Sequence, residues 1–395
     1  MQRECLDVLV VGAGAFGAVS ALELAQRGHQ VTILDRTTIG PHPSASSNDI
    51  SKMIRMDYGS DIFYHELADY SLDIWEQWNE EWPKRLYHPE RFLVLAAKPF
   101  EPGSFEFESE RVLRQRGYTP ERFNAAQLAA KWPAWNASLY PQGYLSPRGG
   151  WAESGAVVSR LLESGRTEGV HFVQGELDEV LSKGSKVSGV SYRALNGSVN
   201  TLTADRVVVA AGAWTPILLP WLEDTLKPVA QPIIHYEVED PSQWQSPIFP
   251  PFAADTSGSG WYGFPSLQDG RLKLGHHGNG RVADPDSRGE VSKEHLDHAR
   301  SFLRSSLPKL SDVPVVGTRV CLYCDTFDGD LWIGEDPERS GLIVAAGGSG
   351  HGFKFTPMIG KIVGDALEKR DNRWLYRFDW RERGKPRKEA ARLQL

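Results

Sequence analysis

The chain has 395 residues, 41% of them hydrophobic and 24% charged, with a formal net charge of −7. That length accommodates two domains or one large composite unit, and the acidic balance argues against nucleic acid or an anionic membrane as partner. The longest apolar runs fall far short of the roughly 20 residues of a membrane-spanning helix, and the chain does not open on a charged segment followed by an apolar one, so no secretory signal is expected and the sequons at Asn136 and Asn196 carry little weight.

Residues 7–11 (Asp-Val-Leu-Val-Val) read as a short buried strand. Gly12-Ala13-Gly14-Ala15-Phe16-Gly17 then turns the chain. Residues 16–27 carry helical spacing through Val19, Leu22 and Leu24, and Gly28 closes that helix. Residues 30–34 form a second strand ending at Asp35. In such a β-α-β unit Gly12 permits the tight turn, Gly14 lets the backbone approach a pyrophosphate, and Gly17 lets the helix pack closely on the strand. The helix N-terminus offers N–H groups and a positive dipole end to phosphates. Asp35, 23 residues beyond Gly12, is placed to accept bonds from ribose hydroxyls. The pattern predicts a bound dinucleotide; by itself it does not separate FAD from NAD.

Residues 41–50 are rich in Pro and Ser and read as a loop. Residues 61–85 predict a helix whose apolar stripe is Phe63, Leu67, Tyr70, Leu72, Trp75 and Trp78. A strand is expected at 91–97, a helix at 154–168, strands at 170–174 and 187–193, and a buried strand at 206–211 closed by Gly212. Residues 225–280 alternate strand-like runs with turns, which predicts an antiparallel sheet. A buried strand at 341–346 leads into Gly347-Gly348-Ser349-Gly350-His351-Gly352, and a helix follows from Pro357 to Lys369. The tail, 370–395, carries nine Arg or Lys against four Asp or Glu; its aromatics Trp374, Tyr376, Phe378 and Trp380 predict that its first half packs on the body. Strands of parallel character thus lie at the start, middle and end of the chain. The expected fold is α/β (an α+β composite): a Rossmann-type dinucleotide domain assembled from the discontinuous segments 1–88, 146–224 and 316–395, plus an antiparallel-sheet substrate domain from 89–145 and 225–315.

Four further segments are Val207 to Trp214 (Val-Val-Val-Ala-Ala-Gly-Ala-Trp), Lys273 to His277 (Lys-Leu-Gly-His-His), Arg319 to Tyr323 (Arg-Val-Cys-Leu-Tyr) and Gly348 to Phe355 (Gly-Ser-Gly-His-Gly-Phe-Lys-Phe). In order and spacing the chain resembles, over nearly its whole length, the sarcosine oxidase-like branch of the D-amino-acid-oxidase superfamily. That branch includes monomeric sarcosine oxidase, fructosyl amino acid oxidases (amadoriases) and fungal L-pipecolate and L-saccharopine oxidases. The resemblance implies a monomer carrying FAD linked covalently through a cysteine thioether. It also implies oxidation of a secondary amine to an imine, with O₂ as acceptor and release of H₂O₂.

Cys321 matches the flavin-linking cysteine; attachment needs a thiolate, which a cationic setting such as the nearby Arg319 favours. The three cysteines, Cys5, Cys321 and Cys324, are too few for a disulfide framework and fit a reducing compartment. An inert structural thiol, or a redox or metal pair with Cys324, are the other readings of Cys321. Lys273 matches the lysine that faces flavin N5 and promotes the reaction with oxygen, where a fixed cation stabilises the anion formed first from O₂; an exposed strand lysine is the plainer alternative. His277, Tyr262 and Tyr323 match positions lining the substrate face of the flavin. Arg55 and Lys354 match the pair that binds the substrate carboxylate, one as a bidentate fork and the other as a point charge. Lys52 is implied beside the isoalloxazine ring, and the run Asn48 to Lys52 leans toward the fungal members. The loop of Gly348, Gly350, His351 and Gly352, leading to Lys354, is implied to support the pyrimidine edge, where negative charge collects on reduction. Further cofactor contacts implied are Ala15, Phe16, Arg36, Ser47, Val173, Gly212 and Trp214. No metal is expected.

The residues with which amadoriases hold the sugar find no match, so pipecolate, saccharopine or a sarcosine-like substrate is preferred over a fructosyl amine or a secondary-metabolite amine. An NAD(P)-dependent dehydrogenase using the same glycine turn, and a nucleotide-binding regulator without turnover, are the readings from other classes. An intracellular location, cytoplasmic or peroxisomal, is expected, although Arg392-Leu393-Gln394-Leu395 is not a clear peroxisomal address.

Overall fold

A computed structural model describes residues 5–37, 40–278 and 280–384. The last four residues, and with them the compartment signal, lie outside the described residues. A six-stranded sheet runs in the order Trp332–Glu335, Leu342–Ala346, Arg206–Val209, Asp7–Val11, Gln30–Asp35, His171–Gln174. All its neighbours are parallel except the pair Trp332–Glu335 and Leu342–Ala346. Its central strands are continuous apolar runs because both faces are covered. Ala15–Gln26 packs on one face beside Thr356–Leu367 and Ser154–Thr167.

The nine-stranded sheet holds the other half of the molecule. Leu226–Glu237 pairs antiparallel with Arg271–His276 on one side and with Val315–Thr326 on the other. Trp261–Gly263, Phe252–Ala254, Phe92–Ala96, Gln142–Ser146 and Glu121–Asn124 extend it beyond Arg271–His276. Its far face is closed by Lys293–Ser306 and by a cluster including Trp132, Trp135, Trp244, Phe249, Phe252, Trp261 and Phe302. The antiparallel expectation for 225–280 holds except at Phe252–Ala254, which runs parallel to Phe92–Ala96. Strand Val315–Thr326 pairs along its length within this sheet, so the chain from 316 to 326 belongs to the nine strands rather than to the parallel sheet. The expected strand at 187–193 lies instead in a separate three-stranded meander, between Glu176–Lys183 and Val199–Thr203.

The first half of the tail packs as expected. Phe378 and Trp374 are buried, and Arg377 bridges Asp61 and Asp330 at 2.7 and 2.8 Å. Tyr376 is the exception: it is largely exposed, touching Phe63 edge-on. No helix among the described residues is long and apolar enough to cross a membrane.

The turn after the first strand needs two of its glycines for steric reasons. Gly12 has φ +103°, and a Cβ there would meet the Ala210 carbonyl at 2.6 Å; one on Gly17 would lie 1.8 Å from the Gly12 carbonyl. Gly17→Ala is therefore expected to push helix from strand and destabilise the protein by about 1–3 kcal/mol or more, read as a lower urea midpoint. An unchanged midpoint would contradict the packing described.

Candidate active site

A cleft with a cavity volume of about 300 Å³ runs between the two sheets, at the small end of the range for ligand sites. At one end lie Gly12, Gly14, Ala15, Phe16, Asp35, Arg36 and Ser47; at the other lie Arg55, Tyr262, Lys273, His277, Tyr323 and Lys354. Lys52, Gly212, Trp214, Cys321, Gly348, Gly350, His351 and Gly352 also line it. Two of the residues expected at the cofactor do not. Gly17 is consumed in packing, and Val173 lies on a sheet strand packed into a core beside the cleft, while Gly175, Glu176 and Leu177 line the wall just beyond it.

The dinucleotide end is built by the β-α-β unit. Asp35 Oδ2 accepts from the Ala13 amide at 2.7 Å and Oδ1 from the Thr37 amide at 2.8 Å, so the carboxylate braces the glycine turn while its edge faces the cleft. Ser47 Oγ accepts from the Ala15 amide at 3.1 Å, tying the Pro- and Ser-rich loop to the helix N-terminus. Arg36 and Trp214 both hold Asp286, at 2.7 and 2.9 Å, which ties the loop after Val282 to two residues of the cleft wall.

At the other end, strand alternation sorts the residues. Lys273, Gly275 and His277 share one side of their strand. Gly275 is required there, because a Cβ would meet the Tyr262 ring at 2.5 Å; Gly350 likewise makes room for the Tyr323 ring, which a Cβ would meet at 2.3 Å. Tyr323 and His277 meet hydroxyl to Nδ1 at 3.3 Å. Tyr262 is half-buried beside Tyr323, and desolvation foremost holds its hydroxyl well above the usual phenol range. Cys321 and Tyr323 lie on the same side of their strand, with the Cys321 thiol facing the Ser46 carbonyl at 3.9 Å. Cys324 belongs to a core cluster that abuts the cleft wall, and burial pushes its thiol up to about 12. Three residues apart on an extended strand, about 10 Å, the two cysteines are too distant for a disulfide; both are free.

Lys273 is not an exposed lysine. It is 1% exposed, and its Nζ donates to Asp49 Oδ2 and to the Ser51 carbonyl, both at 2.6 Å. Burial pushes its ammonium down to about 8 against the pull of Asp49, with Lys52 adding repulsion. Burial alone would raise the Asp49 carboxyl, but Lys273, Lys52 at 3.4 Å and His235 at 3.3 Å hold it well below the usual carboxylate range. Asp49 was not among the residues expected at the site. Its partner lies 224 residues away, and a single Asp in a Pro- and Ser-rich loop carries no local signal.

Arg55 lies over the rings of Tyr58, Phe105 and Phe92, at 5.0, 5.5 and 5.9 Å, and its buried Nη1 has no hydrogen-bond partner among the described residues. Lys354 donates to the His351 carbonyl at 2.7 Å. His351 is fixed by Tyr58 at Nδ1, 3.1 Å, and by the Gly329 carbonyl at Nε2, 3.0 Å. Phe92 and Phe105 flank Arg55, and Met53, Ala253 and Thr256 also line the cleft.

Behind the sheet, His276 points away from the cleft and packs with His295, His298 and Trp261, ring centroids 4.9–6.2 Å apart. Burial lowers the His276 imidazole, and burial with its two neighbours lowers His295 to about 4. Both lie below the ordinary histidine value, so the unfolded chain binds more protons and the native state loses stability as pH falls from about 6.5 toward 4. His295→Leu should flatten that decline in urea midpoint; an unaltered slope would contradict it.

The residues present fit a flavin dinucleotide. The glycine turn leaves no side chain between strand and ligand, the loop Gly348 to Gly352 packs against Phe16 so closely that a Cβ on Gly352 would meet its ring at 2.8 Å, and the buried, unmatched Arg55 Nη1 faces the same cleft. A family model described as "FAD dependent oxidoreductase" matches residues 7–366. Monomeric sarcosine oxidase of Bacillus sp. (strain B-0618) is 29% identical over 363 residues, 90% of each chain. N-methyl-L-tryptophan oxidase of Yersinia pestis (strain Pestoides F) is 27% identical over 364 residues, 90% of this chain and 93% of that one. Among solved structures, fructosamine oxidase (Amadoriase II) from Aspergillus fumigatus matches with a TM-score of 0.81 at 23% identity, over 96% of this chain and 90% of that one. L-proline dehydrogenase from P. horikoshii gives 0.79 at 20%, over 94% and 96%. At those identities the structural likeness is one of fold.

Proposed function

The chain belongs to the FAD-dependent oxidoreductase family, and from that premise we propose that it oxidises the C–N bond of a secondary amino acid with an apolar body, N-methylated or cyclic like pipecolate, using O₂ and releasing H₂O₂. The observation that carries this reading is the buried, unmatched Nη1 of Arg55 in an aromatic setting, a demand for an anion such as a carboxylate. The similarity to sarcosine and N-methyl-L-tryptophan oxidases points the same way.

Arg55 takes the carboxylate as a fork and Lys354 adds charge; together they fix the α-carbon. His277 and Tyr323 face the amine and hold its remaining proton away from the reacting carbon. Met53, Phe92, Phe105 and Ala253 receive the apolar body and exclude water from it. FAD, when bound, accepts the two electrons and passes them to O₂. Lys273 supplies the fixed positive charge where the oxygen-derived anion first forms, and Asp49 holds that ammonium in place. The imine product leaves to hydrolyse in water, or stays cyclic. Cys321, on the cleft side of its strand, is the proposed covalent anchor of the flavin; Cys324 is a core residue.

Peroxide release across a panel of amines tests this reading. Pipecolate and N-methyl amino acids with apolar side chains should turn over, while their decarboxylated amines and NAD(P)H should not. Turnover of fructosyl amines alone would replace the substrate assignment. No release from any secondary amino acid would sink it.

A further inference from the structure

Asp57-Tyr58-Gly59-Ser60-Asp61 turns the chain into the helix Ile62–Glu81. The Tyr58 carbonyl accepts from the Asp61 amide at 3.0 Å, Gly59 takes φ +58°, and the Asp61 side chain caps the helix by accepting from the Tyr64 amide at 3.2 Å. The turn sets the half-buried Tyr58 ring against the helix, stacked on Tyr64 with centroids 5.1 Å apart and beside Phe355 at 5.8 Å. So placed, the ring meets both cations assigned to the substrate carboxylate. The Arg55 guanidinium carbon lies over it at 5.0 Å and Lys354 Nζ at 5.3 Å. Its hydroxyl meets His351 Nδ1 at 3.1 Å, and the His351 carbonyl accepts from Lys354 Nζ at 2.7 Å. Arg55, His351 and Lys354 line the cleft; among the described residues Tyr58 is not one of its lining groups. The buried Asp57 carboxyl also acts on Arg55 through its field, while its Oδ1 accepts from the Tyr144 hydroxyl at 2.7 Å.

We propose that Tyr58 is a positioning residue for the substrate carboxylate. Its ring keeps Arg55 and Lys354 side by side, so that the site prefers a charged acid over the neutral amide of the same shape. The inference rests on those two cations holding a carboxylate. Two like charges that must grip one anion repel each other before it arrives. An acidic side chain between them would remove the repulsion but would compete with the substrate for the same donors. The face of an aromatic ring carries partial negative charge, attracts both cations and takes up none of the fork. The contact persists with the anion in place, so the work of gathering the charges is done in folding and not in binding. The hydroxyl adds a second hold. With His351 Nε2 donating to the Gly329 carbonyl, Nδ1 of the neutral imidazole accepts from Tyr58, and the His351 carbonyl is held where it receives Lys354.

Isothermal titration of the flavin-loaded protein tests this with two probes that cannot be oxidised at an amine: tetrahydropyran-2-carboxylate, in which a ring oxygen replaces the nitrogen of pipecolate, and its primary amide. The wild type should bind the acid at least about tenfold tighter than the amide. Tyr58→Leu should weaken binding of the acid about tenfold and leave the amide within about twofold. Tyr58→Phe, which keeps the ring face, should hold the acid within about threefold of wild type. Three fluorines on that introduced ring preserve its shape but flatten its negative face; the acid should then lose about fivefold more and the amide nothing. The fluorinated pair decides the matter even where the leucine chain fails to fold. Acid binding that is unchanged or tighter in Tyr58→Leu, equal weakening of acid and amide, or indifference to fluorination would each overturn the inference. A wild type that binds acid and amide alike would instead overturn the carboxylate site itself, whatever the Tyr58 variants do.

Discussion

Lys273→Met is expected to slow reoxidation of the reduced enzyme by O₂ by about 10²–10³-fold, ~3–4 kcal/mol of barrier, and to leave anaerobic reduction by substrate nearly unchanged. The asymmetry follows from where charge develops. The first electron to reach O₂ makes an anion, and a fully buried ammonium beside it needs no solvent to reorganise. Substrate oxidation places no comparable negative charge there. Met keeps the volume, and Asp49 keeps Lys52 and His235 as partners, so the variant should fold. The wild type carries its own control. With the Lys273 ammonium pushed down to about 8, the cation is present below that pH and lost above it, so the reoxidation rate should fall as pH rises through about 8. In Lys273→Met that limb should vanish. Stopped-flow measurement of the two half-reactions checks both points; equal slowing of both would contradict the assignment.

Arg55→Met should lower kcat/KM for the best amino-acid substrate by about 10²–10³-fold, ~3–4 kcal/mol, the scale of one lost charge-assisted fork to a desolvated carboxylate. The same change should not lower the thermal midpoint of the protein. Arg55 Nη1 is buried with no hydrogen-bond acceptor, so the desolvation of the guanidinium is offset by an opposite charge only through its field at the buried Asp57 carboxyl, and a methionine can rest on the same three rings. Substrate esters and amides should be poor substrates of the wild type, and Arg55→Met should penalise them far less than the free acid. A loss of stability matching the loss of activity would recast Arg55 as a structural residue.

The parts of this molecule that were legible in the chain are those with local causes. Gly12, Gly17 and Asp35 announce the dinucleotide turn because a tight turn, a close helix and a strand-end carboxylate have few alternative chemistries. Lys273 and His277 were marked only by the resemblance, and the structure adds that they share one side of the chain with Gly275. Parallel strands such as Asp7–Val11 and Leu342–Ala346 are visible as short unbroken apolar runs. What was hidden depends on distant partners. Asp49 acquires its role only when Lys273 and His235 arrive from strands more than 180 residues further on. Val315–Thr326 could be placed in the nine-stranded sheet only through its pairing with Leu226–Glu237. Lys293–Ser306 had a signal that passed unused: Ser292 caps it, and Leu296, Ala299, Phe302 and Leu303 repeat at helical spacing. His276, adjacent to His277, faces the opposite way and belongs to the imidazole cluster behind the sheet.

The central claim is that a secondary amino acid bound at Arg55 delivers electrons to a flavin that O₂ then reoxidises beside Lys273. Anaerobic mixing of the purified yellow protein with pipecolate and a set of N-methyl amino acids tests it most directly. The account predicts bleaching of the flavin band with one equivalent of substrate, and return of the colour with one equivalent of H₂O₂ when O₂ is admitted. Flavin that no secondary amino acid bleaches, or that a reduced nicotinamide bleaches instead, would contradict it.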